Sequence, residues 1–365
     1  MLDEKTIVSF RQTLEQSARP LFLFHDDPDG STSFMQLQKW RGEGRGIIVK
    51  TGPRITVDFV RKVQESGADL VVILDIALVD EEFIQQAGVP IVWLDHHGLE
   101  EPHGSAYINP RAWGQSTPPC YMSYQVTGKK DPWLAMIGCV GDWFMPPPDL
   151  VTTFRVRYPE IFGASENDFK IQEFAYPEDF MFKSKVGILV HMLSFNLKGK
   201  SQDAMTAIKI FSRLDGPMEL LEDQTPRARW LTRRFRNIQT LYSGLKEDAV
   251  RILKSQHGLL GVYETVKDRC AISKDLSNEL SYLFPDKVII VAREKSGEMK
   301  ISIRSNRTGP VIDKALERAL IGIDGHGGGH ERACGANVKK QDFEAFVENF
   351  KRELGIKMRE RGGKI

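Results

Sequence analysis

Four stretches of this sequence concentrate side chains that can hold a divalent cation: His25-Asp26-Asp27-Pro28-Asp29-Gly30, Asp75, Asp95-His96-His97 and Gly141-Asp142. Carboxylate and neutral imidazole together suit hard-to-borderline divalent ions. An acid followed by two imidazoles is not core filling, because burying such groups without partners is costly. Alternate residues of an extended segment point the same way, so His25, Asp27 and Asp29 share a face. Taken singly, Asp75 or Asp142 reads as a helix cap or turn former. All four stretches follow apolar segments and converge on one edge, which points to a metal site.

Those apolar segments are the scaffold that must position the acids. Residues 21–24, 46–50, 70–74 and 91–94 are short apolar runs, predicted as buried strands. Helices are predicted over 4–17, from the spacing of Ile7, Phe10 and Leu14, and near 31–40, 56–64 and 80–86. A further apolar helix near 133–137 leads to the small-residue turn that presents Asp142. Apolar strands alternating with helices indicate a parallel sheet covered on both faces. In such sheets the ligand crevice lies at the carboxyl ends of the strands, where His25, Asp75 and Asp95 fall.

With 365 residues the chain has room for two domains. Hydrophobic residues are 41% and charged residues 27%, the composition of a globular protein rather than a disordered one. A formal net charge of +1 provides no global basic field, so a nucleic-acid partner must be held by local patches. The cysteines Cys120, Cys139, Cys270 and Cys334 are scattered without a C-x-x-C pair, which argues against a disulfide framework or zinc ribbon and fits a reducing cytosol. There is no signal-type apolar core at the N-terminus and no apolar run near the ~20 residues of a membrane span. A soluble, cytoplasmic protein without a membrane partner is expected.

Beyond Asp142, Met145-Pro146-Pro147-Pro148-Asp149 reads as a rigid break, and residues 151–222 have a mostly helical pattern. Arg227, Arg229, Arg233, Arg234 and Arg236 punctuate a predicted long helix; they form either a solvated face or a phosphate-tracking flank. From 258 onward the pattern changes to strands near 259–263, 288–292 and 299–303, with helices near 276–283 and 311–320. Gly322-Ile323-Asp324-Gly325-His326-Gly327-Gly328-Gly329-His330 reads as a glycine-rich loop that exposes backbone N–H groups to phosphate.

His25-x-Asp27-x-Asp29-Gly30, the strand-terminal Asp75, Asp95-His96-His97 and Gly141-Asp142 resemble, in order and spacing, the motifs of the DHH phosphoesterase superfamily. Its members include RecJ-type exonucleases, nanoRNases and family II pyrophosphatases. Gly327-Gly328-Gly329-His330 is similar to the glycine motif of the DHHA1 domain that often follows. The resemblance implies an α/β protein: a parallel-sheet DHH domain over 1–225, a linker helix over 226–254 and a smaller α/β DHHA1-type domain over 255–365, with a cleft between them. It implies two Mn²⁺ ions, with Mg²⁺ as substitute. His25, Asp27 and Asp75 would hold one ion, and Asp29, Asp75, His96 and Asp142 the other. Asp95 would orient a neighbouring histidine and His97 would touch the scissile phosphate. Ser302, Arg304, Gly327, Gly328, Gly329 and His330 would bind substrate, assisted by His326 and Arg307.

The activity implied is a phosphodiesterase or exonuclease releasing mononucleotides from single-stranded RNA or DNA. The chain leaves no room for the extra OB-type domain of long RecJ proteins, which favours short oligonucleotides. Hydrolysis of cyclic dinucleotides or 3′-phosphoadenosine 5′-phosphate is the alternative within enzymes, and a replication or repair scaffold the alternative outside them. A replication or repair partner and a homodimer remain open in this reading.

Overall fold

The computed structural model describes residues 1–50, 54–100, 104–161, 174–265 and 271–355. Two compact units divide the chain, 1–236 and 237–365. Unit 1 is built on strands β1 (Pro20–His25), β2 (Arg45–Val49), β4 (Leu70–Leu74), β6 (Ile91–Leu94) and β7 (Ala106–Ile108), with β3 (Arg54–Ile55) and β5 (Leu78–Val79) pairing separately. The main sheet runs β2-β1-β4-β6-β7 and is parallel throughout. Its strands are apolar on both faces because helices cover both. Phe22, Phe24, Val72, Leu74 and Leu94 face one core, shared with the helices Glu4–Gln16, Pro28–Arg41, Pro119–Val126 and Pro132–Gly141. Leu21, Leu23, Val71, Ile73 and Trp93 face the other, with Val60, Val63 and Phe83.

Several parts of unit 1 depart from the sequence reading, among them the β3–β5 pair and the helix Pro119–Val126. Ala106–Ile108 adds a fifth strand, and the proline run ends by starting a helix, Pro148–Arg157. Proline suits the first turn of a helix, where its missing N–H has no intrahelical acceptor. Four of the five arginines in the series are used locally: Arg227 binds Glu219, Arg229 donates to the Asp223 carbonyl, Arg234 lies over Trp230 and Arg236 pairs with Asp223. Glu219 is 5% exposed and also accepts from the Thr225 hydroxyl and the Asp215 N–H. Burial would raise its carboxyl, but the Arg227 and Thr225 hydrogen bonds outweigh this and hold it at about 2. A depressed carboxyl contributes stability above its ordinary 4.5, and that contribution is lost as pH falls toward 2. Glu219→Gln is therefore expected to cost about 1–3 kcal/mol in urea unfolding at pH 7, with the cost shrinking in acid.

Unit 2 contains β8 (Leu260–Thr265), β9 (Val288–Lys295), β10 (Glu298–Ser305), β11 (Gly325–His330) and β12 (Ala333–Lys339), in the order β11-β12-β10-β9-β8. A two-residue turn joins β9 to β10, with Ser296 at φ 55° and Gly297 at φ 80°, the left-handed pair that a tight hairpin needs. Strand alternation sends Met299, Ile301, Ile303, Cys334, Ala336 and Val338 into a core with Leu316, Phe346 and Phe350. The glycine stretch is corrected from a loop to a strand, because β11 pairs along its whole length with β12. Cys120, Cys139 and Cys334 are free thiols, and Cys270 lies outside the described residues. Among the described residues no helix is long and apolar enough to cross a membrane.

Candidate metal centre

In unit 1 the parallel sheet delivers β1, β4 and β6 to one edge, and their last residues or successors are His25, Asp75 and Asp95. Asp75 follows β4 at φ 56°, in the left-handed region that Asp and Asn enter more readily than other side chains. Asp27 caps the helix Pro28–Arg41 by accepting from the Gly30 N–H at 3.0 Å, which fixes Asp29 in the first turn. Asp142 comes from the end of the helix Pro132–Gly141. That helix lies so close to Pro28–Arg41 that a Cβ on Gly141 would fall 2.5 Å from Pro28, and one on Gly138 2.3 Å from Thr32. Only glycine lets the two helices meet and bring Asp142 to the site.

The eight residues singled out in this half of the sequence meet there. His25 Nδ1 lies 3.2 Å from both Asp27 and Asp75. His96 Nε2 lies 3.5 Å from Asp75 and 3.8 Å from Asp29, and its Nδ1 is 3.7 Å from Asp142. His25, Asp27 and Asp75 can present ligand atoms to one ion; Asp29, His96 and Asp142 can present theirs to another. A third grouping, Asp75 with His96 and His97, is also close enough. Asp95 is fully buried and binds His97 Nδ1 at 2.7 Å and the His97 backbone N–H at 3.0 Å. The histidine oriented by Asp95 is thus His97.

The electrostatics fit a cation. Asp29 is completely buried; burial first, then the charges of Asp75, Asp142 and Asp27, push its carboxyl well above the usual range. Burial pushes His25 and His96 down, but the neighbouring carboxylates outweigh it: His25 rises well above its ordinary value and His96 to about 9. Asp75 is lowered, because His25 and His96 overcome the effect of its burial. The cluster therefore holds more negative charge than its surroundings compensate. Two buried ligand atoms, Asp29 Oδ2 and His96 Nδ1, have no hydrogen-bond partner. Orphaned atoms of these two types, the first 3.8 Å from His96 Nε2 and the second 3.7 Å from Asp142, fit a divalent ion.

Two residues absent from the sequence reading support this edge. Asn109, 2% exposed, donates from Nδ2 to the His97 carbonyl at 3.1 Å and accepts from the Arg111 N–H. Arg111 donates from Nε to the His96 carbonyl at 2.6 Å. The Asn109-Pro110 pair, a turn signal, was the clue available.

Unit 2 holds a separate cavity of about 690 Å³, within the size range of small-ligand sites. Ser302, Arg304, His326, Gly327 and Gly328 line it, whereas Gly329, His330 and Arg307 do not. The Ser302 hydroxyl is bonded to that of Ser277 at 2.8 Å. Arg304 donates to Asn278 and to the carbonyls of Ile303 and Cys334, and burial lowers its guanidinium to about 10.

The chain has the α/β fold of RecJ-type proteins, to whose solved structures it is similar. The DHHA1 domain model matches residues 265–355. RecJ from Thermus thermophilus in complex with Mn²⁺ is similar with a TM-score of 0.67 at 15% identity, over 97% of this chain and 55% of that one. An exonuclease RecJ bound to manganese gives 0.60 at 16% identity, over 98% and 96%. The pGpG-specific phosphodiesterase PggH from Vibrio cholerae gives 0.50 at 13% identity, over 92% and 98%. The chain therefore spans little more than half the length of the Thermus protein. No curated protein sequence matches it.

Proposed function

We propose that this chain is a metal-dependent phosphodiesterase that hydrolyses short single-stranded RNA or DNA to mononucleotides, with Mn²⁺ as its preferred ion and Mg²⁺ as substitute. The observation that carries the reading is Asp75, which stands between two ligand groups, 3.2 Å from His25 on one side and 3.5 Å from His96 on the other. His25, Asp27 and Asp75 would hold one ion, and Asp29, Asp75, His96 and Asp142 a second. Two ions so held supply an activated water and stabilise the entering and leaving oxygens of an in-line displacement at phosphorus.

The chain's own groups do the rest. Asp95 engages His97 through Nδ1, which leaves Nε2 as the ring atom that donates to a phosphate oxygen. Asp95 also raises His97, so an imidazolium persists to higher pH. Asn109 and Arg111 fix the carbonyls of His97 and His96 and so hold both rings in place. Ser302, Arg304, His326 and the strand residues Gly327, Gly328, Gly329 and His330 are assigned to grip substrate, with Arg307 assisting. A guanidinium matches phosphate oxygens in a fork geometry.

A preference for short substrates is supported by the likeness to PggH along nearly all of that protein's length. The test is a panel of labelled RNA and DNA, from dinucleotides to long strands with either end blocked, together with a cyclic dinucleotide and 3′-phosphoadenosine 5′-phosphate. Each is assayed with Mn²⁺, Mg²⁺ and chelator. Fastest Mn²⁺-dependent release of mononucleotides from the shortest strands is expected. Exclusive cleavage of one of the small phosphoesters would replace this reading, and no cleavage of any substrate would favour a scaffold.

A further inference from the structure

Asp142, the candidate ligand at the end of the helix Pro132–Gly141, is followed by a residue whose backbone is at odds with its type. Trp143 stands at φ 58°, in the left-handed region. Its N–H bonds back to the Val140 carbonyl at 3.2 Å, and the Phe144 N–H bonds to the Cys139 carbonyl at 2.9 Å. This pair of bonds is a left-handed helix stop in which glycine is the usual occupant, because a Cβ crowds the backbone there. Among the described residues the other non-glycine positions of positive φ are Asp75, Lys129, Asp223 and Ser296, none of them aromatic or β-branched. Asp75 and Trp143 both stand at the metal centre.

Glycine would close the same turn without strain, so what tryptophan adds at this position is its ring. That ring is not core filling. Trp93 and Trp133 are 1% and 0% exposed, whereas Trp143 is only partly buried. It leans on Phe182 of the helix Pro177–Lys183, with ring centroids 5.9 Å apart and planes inclined by 44°. Phe182 is itself only partly buried, and Met145 is 39% exposed. The Asp142 carboxylate lies 3.7 Å from His96, and consecutive Cα atoms are about 3.8 Å apart, so the indole is anchored at the rim of the centre. The close packing at Gly138 and Gly141 fixes the helix end that carries it. Three side chains, two of them only partly exposed, fall far short of the ~800 Å² per partner of a stable protein interface. A nucleobase needs only one flat ring, and every base has a face that stacks on one.

We propose that Trp143, backed by Phe182, is a stacking platform for one nucleobase of the substrate, beside the phosphate that is cut. The proposal rests on the phosphodiesterase reading of the metal centre. It adds that a substrate is held there through a base as well as through phosphate, without selection of which base.

The test compares a dinucleotide with two analogues, each lacking one of its bases, as substrates with Mn²⁺. For the wild-type chain, loss of the base on one side is expected to lower kcat/KM about tenfold, the worth of one stacked base. Trp143→Gly, which suits the left-handed φ, should lower kcat/KM for the dinucleotide by the same factor, mostly through KM. The analogue lacking that base should be cut equally well by both chains, and Trp143→Phe should keep at least a third of the wild-type kcat/KM. In chelator, where no hydrolysis occurs, the dinucleotide should quench wild-type tryptophan emission. The Trp143→Phe chain, which loses one of six tryptophans, should bind a labelled dinucleotide without that quenching. Equal cleavage of all three substrates by the wild-type chain would overturn the proposal. So would a Trp143→Gly loss shared in full by both analogues, which marks a ring that only packs, or quenching that survives in Trp143→Phe. A Trp143→Gly chain that passes from dimer to monomer in sedimentation, with its base preference intact, would give this face to a second copy instead. Absence of Mn²⁺-dependent cleavage in the substrate panel would overturn the hydrolase reading; the quenching needs no metal, so the two failures are distinguishable.

Discussion

Asp75→Asn is expected to lower Mn²⁺-dependent cleavage by at least ~10³-fold while leaving the chain folded, the scale of losing a central transition-state electrostatic group. The choice of substitution follows from the backbone. At φ 56° a residue sits where Asn is tolerated and Ala is strained, so Asn removes the charge without adding conformational cost. The side chain is 2% exposed and contacts both His25 and His96, so its loss damages both ligand groups at once. Asp75→Ala combined with Asp142→Ala should abolish cleavage outright. Wild-type rates in either case, measured on folded protein with Mn²⁺ in excess, would refute the ligand assignment.

Asp29→Asn is expected to move stability and metal binding in opposite directions. Asp29 is wholly buried, its Oδ1 takes the Cys120 N–H at 2.6 Å, and its Oδ2 has no hydrogen-bond partner. In chelator a carboxylate there is a liability, because desolvation and three neighbouring acids oppose its charge. Asn keeps an oxygen for Cys120 and removes that charge, so the chelated variant should be as stable as wild type or about 1–2 kcal/mol more stable. Wild type should gain about 2.7 kcal/mol from Mn²⁺ at a hundred times its dissociation constant. The variant should lose most of that gain, together with at least ~10²-fold in cleavage. Thermal unfolding with and without Mn²⁺ reads both effects; a destabilised chelated variant that keeps the full Mn²⁺ gain would show that Asp29 is structural.

The parallel sheet of unit 1 was legible because its strands are nearly pure apolar runs, each ended abruptly by an acid or histidine. Leu70–Leu74 followed by Asp75 is the clearest example. Ala106–Ile108 was not legible, since three partly exposed residues carry too little pattern to distinguish a strand from a loop. The glycine stretch at 325–330 misled in a physical way. Glycine has poor intrinsic strand propensity, but six consecutive pairings with β12 override it. The candidate metal ligands could be picked out by type and spacing, whereas Asn109 and Arg111 act through backbone carbonyls and leave little trace in residue type.

Direct measurement of Mn²⁺ binding tests the central claim without reliance on any substrate. Titration into the chelator-treated chain, followed by electron paramagnetic resonance of the loaded protein, should give two ions per chain with the exchange coupling of a carboxylate-bridged pair, and Asp75→Asn should eliminate that coupling. One ion, none, or two uncoupled ions in the wild-type chain would contradict a shared centre at Asp75.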